Sequence, residues 1–215
     1  MRTISDRSEA AFPVKAALLR LDLRSVSTDG AQILGPITLD IRAGETVALT
    51  GPSGVGKTTL LRVISGLHNY YEGEVTRPPR LSAVFQSPTL LPWRTAWQNL
   101  TLTSGISKAH ALHWLSAVSL ADRANHFPTQ MSLGQQRRLA LARAFAASPD
   151  LLLMDEAFVS LDPRLADEMM HLFETLRAQH GTTTLLVTHD RAEAARLADR
   201  VLCLDGRPAT LRAIP

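Results

Sequence analysis

The residues Gly51-Pro52-Ser53-Gly54-Val55-Gly56-Lys57-Thr58 are the strongest structural signal in this 215-residue chain. It follows a short apolar segment, residues 45–50, which predicts a strand. The next segment, residues 58–67, is predicted to be a helix that buries one face, formed by Leu60, Ile64 and Leu67. A glycine-rich loop that joins a strand to a helix and ends in Lys-Thr is typical of a phosphate-binding loop. The sequence therefore predicts an α/β core around a nucleoside triphosphate site.

Each residue type in this loop suits phosphate binding. Glycines at 51, 54 and 56 let backbone N–H groups converge on one point at the positive end of the following helix. Lys57 adds a charge toward the β- and γ-phosphates, and the Thr58 hydroxyl is a hard oxygen ligand suited to Mg²⁺. We therefore expect residues 51–58, together with Thr59, to hold a nucleotide and its metal ion.

The composition bounds the class of protein. The chain is long enough for one sizeable core but not for two nucleotide-binding domains. Its net charge of +3 comes from 23 basic and 20 acidic residues that are interspersed, which argues against a nucleic-acid partner. The sequence contains no apolar stretch of about 18 residues and no signal core. We expect a cytoplasmic protein whose single cysteine, Cys203, is a buried, reduced thiol.

Two kinds of strand are predicted. Apolar residues alternate with polar ones near the N-terminus, which indicates half-buried strands of an antiparallel sheet, at Leu19, Leu21 and Leu23 and again at Ile37, Leu39 and Ile41. Residues 151–154 and 184–188 are continuous apolar runs, as expected for strands covered on both faces. The predicted fold is α/β, with a mostly parallel sheet and an N-terminal antiparallel β-subdomain.

The middle of the chain is predicted to be mainly helical. The helical pattern covers residues 95–147 and is clearest at 108–118 and 135–147. We predict that residues from about 88 to 148 form a helical subdomain inserted into the core. Residues 1–16 are then a flexible N-terminal segment, and residues 17–215 form a single domain.

Two adjacent carboxylates, Asp155 and Glu156, end the predicted strand at 151–154. Side chains alternate along an extended chain, so these two should point to opposite sides and serve different functions. Asp155 is placed to hold hydrated Mg²⁺, and Glu156 to orient an attacking water or accept its proton. An acidic turn after an ordinary strand is the alternative interpretation.

His189 follows the predicted strand at 184–188 and precedes a helix predicted at 192–197. Ligands bind at the carboxyl ends of parallel strands in open α/β sheets, so His189 is placed to reach a γ-phosphate. A structural or solvated histidine is the alternative.

Ser132 and Gln135 fit a reciprocal capping arrangement at the start of a helix that ends before Pro149. A plain helix cap is the simplest interpretation. In a chain that already has a phosphate loop, outward N–H groups and a hydroxyl indicate a second phosphate-binding element. Two copies of the chain would then share one nucleotide.

With these motifs in order, the chain resembles the ATP-binding subunits of ABC transporters from about residue 18 to residue 206. The resemblance identifies a Q-loop at Gln86, a signature at residues 132–135, a D-loop at residues 160–162 and a switch histidine at His189. It implies a phosphate-loop ABC ATPase that hydrolyses ATP with Mg²⁺.

The resemblance also implies how two subunits combine. A head-to-tail dimer, expected to be a homodimer, would hold ATP between the phosphate loop of one chain and Ser132, Gly134 and Gln135 of the other. Gln86 would contact Mg²⁺ or water and couple to a permease, and Asp162 would line the dimer interface.

Residues 85–99 look most like the importer subgroup for nitrate, sulfonates and taurine. This resemblance implies a peripheral subunit on the cytoplasmic side of the inner membrane, where it docks on an integral permease served by a solute-binding protein. Trp93 and Trp97 are four residues apart, one helical turn, and would anchor the permease beside Gln86. Alternatively, both tryptophans fill the core of the helical subdomain.

The chain departs from the family pattern at several positions. Leu133 stands where the family usually has a glycine, so we expect it to crowd the γ-phosphate, restrict the backbone and slow hydrolysis. Residues 25–30 contain no aromatic side chain to stack on adenine. Only ten residues follow Asp205, so a C-terminal regulatory domain is not expected.

Other functions fit part of the sequence. Leu133 is compatible with a weakly active or regulatory subunit of a heterodimer. A soluble ABC-type ATPase that acts on DNA or ribosomes would need long coiled-coil arms or two tandem ATPase domains, and the sequence shows neither. An unrelated phosphate-loop kinase or GTPase would leave the signature, the D-loop and His189 without roles.

Overall fold

The computed structural model describes residues 17–213, so the segment predicted at residues 1–16 lies outside the described residues. Its strands are β1 (Ala17–Thr28), β2 (Ala31–Leu34), β3 (Ile37–Arg42), β4 (Thr46–Thr50), β5 (Tyr71–Thr76), β6 (Leu81–Phe85), β7 (Leu151–Asp155), β8 (Thr183–Val187), β9 (Arg200–Gly206) and β10 (Ala209–Ala213). Its α-helices are α1 (Lys57–Ser65), α2 (Ala96–Ser104), α3 (Lys108–Ala117), α4 (Leu133–Ala146), α5 (Pro163–His180) and α6 (Arg191–Leu197).

The strands form one continuous sheet in the order β3-β1-β2-β10-β9-β4-β8-β7-β6, and β5 pairs with β1. Strands β9, β4, β8, β7 and β6 are parallel to one another, whereas β1 pairs antiparallel with β2, β3 and β5. The predicted combination of a parallel core sheet and N-terminal antiparallel strands is therefore confirmed.

The alternating pattern predicted for the N-terminal strands is also confirmed. In β3, Ile37, Leu39 and Ile41 are buried while the residues between them are exposed. Leu19 and Leu21 of β1 are likewise buried, facing a core that also contains the apolar side of α1. Burial of one face accounts for the alternation, because only that face leaves water.

The central strands β4, β7 and β8 are almost fully buried because both of their faces are covered. In β7, Leu151 and Leu153 pack with α1 and the antiparallel strands, whereas Leu152 and Met154 pack with helices on the other side. Strand β8 divides its side chains between the same two cores. The carboxyl ends of β4, β7 and β8 consequently lie side by side, where they position the site.

Helices α2, α3 and α4 lie between β6 and β7 in the sequence. Leu100 of α2, Leu115 of α3 and Leu139 of α4 share the second core with Phe173 of α5. The helices predicted at 108–118 and 135–147 are confirmed within two residues at each end. No helix between residues 17 and 213 combines the length and hydropathy that a membrane span requires.

Two predictions about burial are wrong. Helix α1 ends at Ser65 because Gly66 takes the left-handed conformation of a C-cap, and Leu67, expected on the buried face, is 77% exposed. Cys203 is only half-buried, because side chains on β9 alternate and the buried neighbours are Leu202 and Leu204.

The predicted helical spacing of Trp93 and Trp97 is also wrong. Trp93 lies in the turn before α2, whose N-cap is Thr95, and Trp97 lies inside the helix. Trp93 is 66% exposed, whereas Trp97 is partly buried against the second core. The two side chains therefore have different environments.

Candidate nucleotide-binding site

The loop of residues 51–58 turns tightly between β4 and α1. Gly51 has a φ of 138°, and a Cβ atom there would lie 2.3 Å from the carbonyl oxygen of Leu204. Gly56, the N-cap of α1, has a φ of 113° and lies against the side chain of Leu34. Both positions therefore require glycine. The free N–H groups at the start of α1 can then approach a bound anion.

Lys57 is buried along its stem, and its ammonium group lies within the curve of the loop. Its Nζ atom donates hydrogen bonds to the carbonyl oxygens of Gly51, at 2.8 Å, and Pro52, at 2.9 Å. The loop carbonyls thus place one positive charge beside the N-terminus of α1, where a phosphate group would meet both.

Thr58 contacts Asp155 across the cleft. The Thr58 hydroxyl donates to Oδ2 of Asp155 at 3.0 Å, which brings the start of α1 to the end of β7. Burial raises the pKa of Asp155, and this rise is opposed by the hydrogen bond from Thr58. A divalent cation would compensate the desolvated charge, and both side chains supply hard oxygen atoms. The donors present therefore fit Mg²⁺.

Glu156 does not continue the extended strand, so the reason predicted for its orientation is wrong. It takes a left-handed conformation with a φ of 51°, and its N–H donates to the carbonyl oxygen of Val187 at 2.9 Å. Asp155 and Glu156 consequently line the same cleft. Oε1 of Glu156 lies 3.4 Å from Nδ1 of His189, which is 56% exposed.

Gln86 follows the neighbouring strand β6 and lies at the rim of this cleft. Its Nε2 atom is 3.4 Å from the hydroxyl oxygen of Ser160. The cleft has a volume of about 530 Å³ and is lined by Thr28, Ile33, Ser53, Gly54, Gly56, Lys57, Thr58, Thr59, Phe85, Gln86, Ser87, Asp155 and Glu156. Most of the phosphate loop and the two predicted carboxylates are therefore brought together.

The reciprocal cap predicted at Ser132 is confirmed. The Ser132 hydroxyl oxygen accepts from the Gln135 N–H at 3.2 Å, and Oε1 of Gln135 accepts from the Ser132 N–H at 3.0 Å. At Gly134 a Cβ atom would come within 3.0 Å of the Leu165 side chain on α5, so the close packing favours glycine. The helix end is thus held in a fixed orientation.

Ser132, Gly134 and Asp162 line a second cleft, of about 540 Å³, on the face formed by α4 and α5. Asp162 also caps α5, because its Oδ1 atom accepts from the Leu165 N–H at 3.1 Å. Among the residues that the structure describes, the two clefts have no lining residue in common. One chain therefore presents the phosphate loop and the capped helix at separate places.

Leu133 also faces the second cleft and is 49% exposed. It is the first residue of α4 and keeps a helical backbone, outside the left-handed region. Its position therefore needs no glycine-like conformation, and any effect of Leu133 must come from its side chain.

Sequence patterns missed two side chains that support the site. Arg137 is 6% exposed, and its Nη1 atom donates to the carbonyl oxygen of Ala157, directly after Glu156, at 2.6 Å. The Thr188 hydroxyl, next to His189, donates to the buried Glu193 at 2.6 Å. Charged residues inside otherwise buried helical faces were the available signal, because such residues are rarely buried without a partner.

Comparison with known proteins places this geometry in context. A family model described as ABC transporter matches residues 34–159. An aliphatic sulfonates import ATP-binding protein, SsuB, from Granulibacter bethesdensis is 46% identical over 85% of this chain and 78% of its own length. A second, SsuB 1 from Streptomyces avermitilis, is 43% identical over 91% of this chain and 76% of its own length.

A solved structure shows a similar fold. It is described as the dimeric structure of a post-hydrolysis state of the ATP-binding cassette MJ0796 bound to ADP and Pi. The TM-score is 0.76 and the sequence identity is 29%, over 92% of this chain and 99% of the other.

Proposed function

Because the chain belongs to the ABC transporter family and hydrolyses ATP to drive transport, we propose that it powers uptake of aliphatic sulfonates through a separate membrane permease. The observation that carries the choice of solute is the similarity of most of the chain to aliphatic sulfonate import ATP-binding proteins. This proposal narrows the predicted subgroup of nitrate, sulfonate and taurine importers to sulfonates.

The first cleft holds ATP in this proposal. Residues 51–59 bind the phosphate groups through the N–H groups at the start of α1 and through the ammonium group of Lys57. Thr58, Asp155 and Gln86 are the residues that would hold Mg²⁺, which neutralises phosphate charge when it is bound.

Glu156 and His189 act on the attacking water and the γ-phosphate. The carboxylate of Glu156 lies in the cleft, where it can orient a water molecule and accept its proton. The imidazole of His189 lies against the same carboxylate and can hydrogen-bond both Glu156 and a phosphate oxygen. Glu156 would thus take the proton of the attacking water, while His189 would hold the phosphate group that the water attacks.

A second copy of the chain completes the site. The signature residues Ser132, Gly134 and Gln135 are in, or adjoin, a cleft separate from the phosphate loop, so a nucleotide would meet them on a partner chain. A head-to-tail homodimer places the capped start of α4 against the γ-phosphate of the partner's ATP. Asp162 would then lie at the interface.

A membrane permease docks beside the loop that carries Gln86. Trp93, in this loop, is 66% exposed. Exposed aromatic residues are common anchors of protein interfaces. Helices α2 to α4 would form the helical subdomain of about residues 88–148, within a single domain of residues 17–215. The subunit would lie on the cytoplasmic side of the inner membrane, and a solute-binding protein would deliver the sulfonate.

Reconstitution tests the proposal directly. The tagged chain is isolated from membranes of its host with the permease it retains, placed in proteoliposomes, and assayed with the solute-binding protein. We expect ATP turnover to rise with an alkanesulfonate and not with nitrate, and the Lys57→Ala variant to stay inactive with both. Stimulation by nitrate alone, or recovery of no membrane partner, would contradict the proposal.

The same preparation distinguishes a homodimer from a heterodimer. A regulatory subunit would co-purify with a different ATP-binding chain and would show no turnover by itself. A single ATP-binding polypeptide in the complex is the result that the homodimer requires.

A further inference from the structure

One arginine of helix α4 connects this helix to the Gln86 loop, residues 86–95, which joins β6 to α2. Arg143 Nη1 donates to the carbonyl oxygen of Thr89 at 2.8 Å, and Nη2 donates to Thr89 Oγ1 at 3.1 Å and to the carbonyl oxygen of Pro88 at 3.2 Å. Helix α4 begins at the Ser132 cap, whereas the loop follows strand β6. Arg143 therefore joins two segments of the predicted site that are remote in the sequence.

The loop depends on this support because its backbone is strained. Thr89 has a φ of 48°, a left-handed conformation that residues with a side chain seldom adopt unless their surroundings impose it. The guanidinium group satisfies both neighbouring carbonyl groups and the hydroxyl group of Thr89. These bonds come from two nitrogen atoms that the planar guanidinium group holds apart, whereas a lysine would have to make all of them from a single nitrogen atom.

The charge of Arg143 strengthens this link. The side chain is half-buried, and desolvation lowers the pKa of its guanidinium group, which still remains charged at neutral pH. Hydrogen bonds from a charged, partly desolvated donor are stronger than those between neutral groups. Helix α4 is continuous over 14 residues from Leu133 to Ala146, so a displacement at its start is carried to Arg143.

We propose that Arg143 is a positioning residue for ATP hydrolysis, which fixes the loop of Gln86 relative to the Ser132 end of α4. The inference rests on the proposed role of Gln86 at the metal ion or the attacking water. When Ser132 engages the nucleotide of a partner chain, α4 and the Gln86 loop move together. Formation of the dimer and placement of Gln86 in the chain's own cleft are therefore one event.

The first test compares Arg143→Met with Arg80→Met. Methionine keeps most of the apolar stem of Arg143 and removes all of its donors. Arg80 is a matched control because its exposed ion pair with Asp150 lies at the opposite end of β6 from Gln86. We expect kcat of Arg143→Met to fall about 10- to 100-fold, since small misplacements of site residues have effects of this size.

Two further readouts separate positioning from loss of structure. The KM for ATP should stay within about twofold, because the phosphate loop is unchanged and only a step after binding is affected. Turnover is divided by the amount of nucleotide bound, so that misfolded molecules, which bind none, do not lower the measured rate. Arg143→Lys should recover little of the activity, because the single nitrogen atom of a lysine cannot occupy the positions of both Nη1 and Nη2. Full activity of the methionine variant, or full recovery with lysine, would overturn the proposal.

A double variant tests whether Arg143 acts through Gln86. The combination Arg143→Met with Gln86→Ala should be no slower than Gln86→Ala alone, because the loop then has no side chain to position. Multiplied effects would overturn the inference. If Gln86→Ala alone leaves turnover unchanged, the role proposed for Gln86 fails, together with this inference. Failure of sulfonate transport with normal ATP turnover would affect the proposed function only.

Discussion

Nδ1 of His189 lies 3.4 Å from Oε1 of Glu156, although 33 residues separate them in the sequence. The proximity follows from the pairing of β7 with β8, in which Asp155 is opposite Val187 and the Glu156 N–H donates to the Val187 carbonyl oxygen. A contact of this length is weaker than an ordinary hydrogen bond. Catalytic hydrogen bonds are often long without substrate and shorten when it binds.

Replacing His189 with alanine should therefore slow hydrolysis without preventing nucleotide binding. We expect turnover to fall by roughly 10²-fold, the lower end of the usual contribution of an acid–base group. His113→Ala is a suitable control, since His113 is exposed on α3. Steady-state ATPase assays together with nucleotide titration would measure both effects. Equal turnover of the two variants would remove His189 from the site chemistry.

Shortening Leu133 should raise turnover. Its side chain projects into the second cleft, where the γ-phosphate of a partner's nucleotide would approach the start of α4. Leu133→Ala removes this bulk and retains the helical backbone preference, whereas Leu133→Gly also loosens the helix end by up to about 1 kcal/mol. We expect a gain of about two- to tenfold in both variants, or roughly 0.4–1.4 kcal/mol of activation free energy. No gain in either would show that the cleft already accommodates leucine.

The two tryptophans should respond differently to truncation. Trp97 packs against the second core and carries the Lys108 ammonium group 4.7 Å from its ring centroid, so Trp97→Ala should reduce the free energy of unfolding by about 2–4 kcal/mol. Trp93 is exposed, so Trp93→Ala should change the free energy of unfolding by less than about 0.5 kcal/mol.

Denaturant unfolding and permease co-purification distinguish these effects. We expect Trp93→Ala to lose the permease while remaining stable. A stable Trp93 variant that still retains the permease would contradict docking at this residue.

A pH dependence of stability should arise at Glu193. Burial raises the pKa of Glu193, and Asp190 and Glu156 add to this rise, whereas the hydrogen bond from Thr188 and the charge on His189 oppose it. The folded chain therefore keeps the proton at pH values where the unfolded chain has lost it. The free energy of unfolding should therefore fall as the pH rises from 4.5, the pKa of Glu193 in the unfolded chain, through its raised pKa in the folded chain.

The Glu193→Gln variant isolates this effect. Glutamine retains an oxygen acceptor for Thr188 but carries no desolvated charge, so the decline in stability across this pH range should become smaller. Glu74→Gln, on the exposed side of β5, serves as the control. If the free energy of unfolding of Glu193→Gln declines with pH as steeply as that of the parent chain, Glu193 is not the source of the pH dependence.

The sequence predicts features that depend on periodicity or on tightly constrained backbone. Residues 151–154 form a strand buried on both sides, and Gly51 and Gly56 have positive φ angles that favour glycine. Sequence patterns cannot predict features decided by contacts between remote elements. The left-handed turn at Glu156 depends on a bond to Val187, and the environments of Trp93 and Trp97 depend on where α2 starts. Gly66 is an exception, since a glycine after a helix is itself a stop signal.

We propose that the ATP site is complete only when two chains come together. The most direct measurement is sedimentation velocity of Glu156→Gln, whose turnover should be lowered roughly 10²-fold so that bound ATP persists. We predict a monomer without nucleotide and a dimer with ATP and Mg²⁺. Adding Ser132→Arg should restore the monomer while a fluorescent ATP analogue still binds. A Glu156→Gln chain that stays monomeric when saturated with ATP, or a dimer that persists after Ser132→Arg is added, would rule out a shared site.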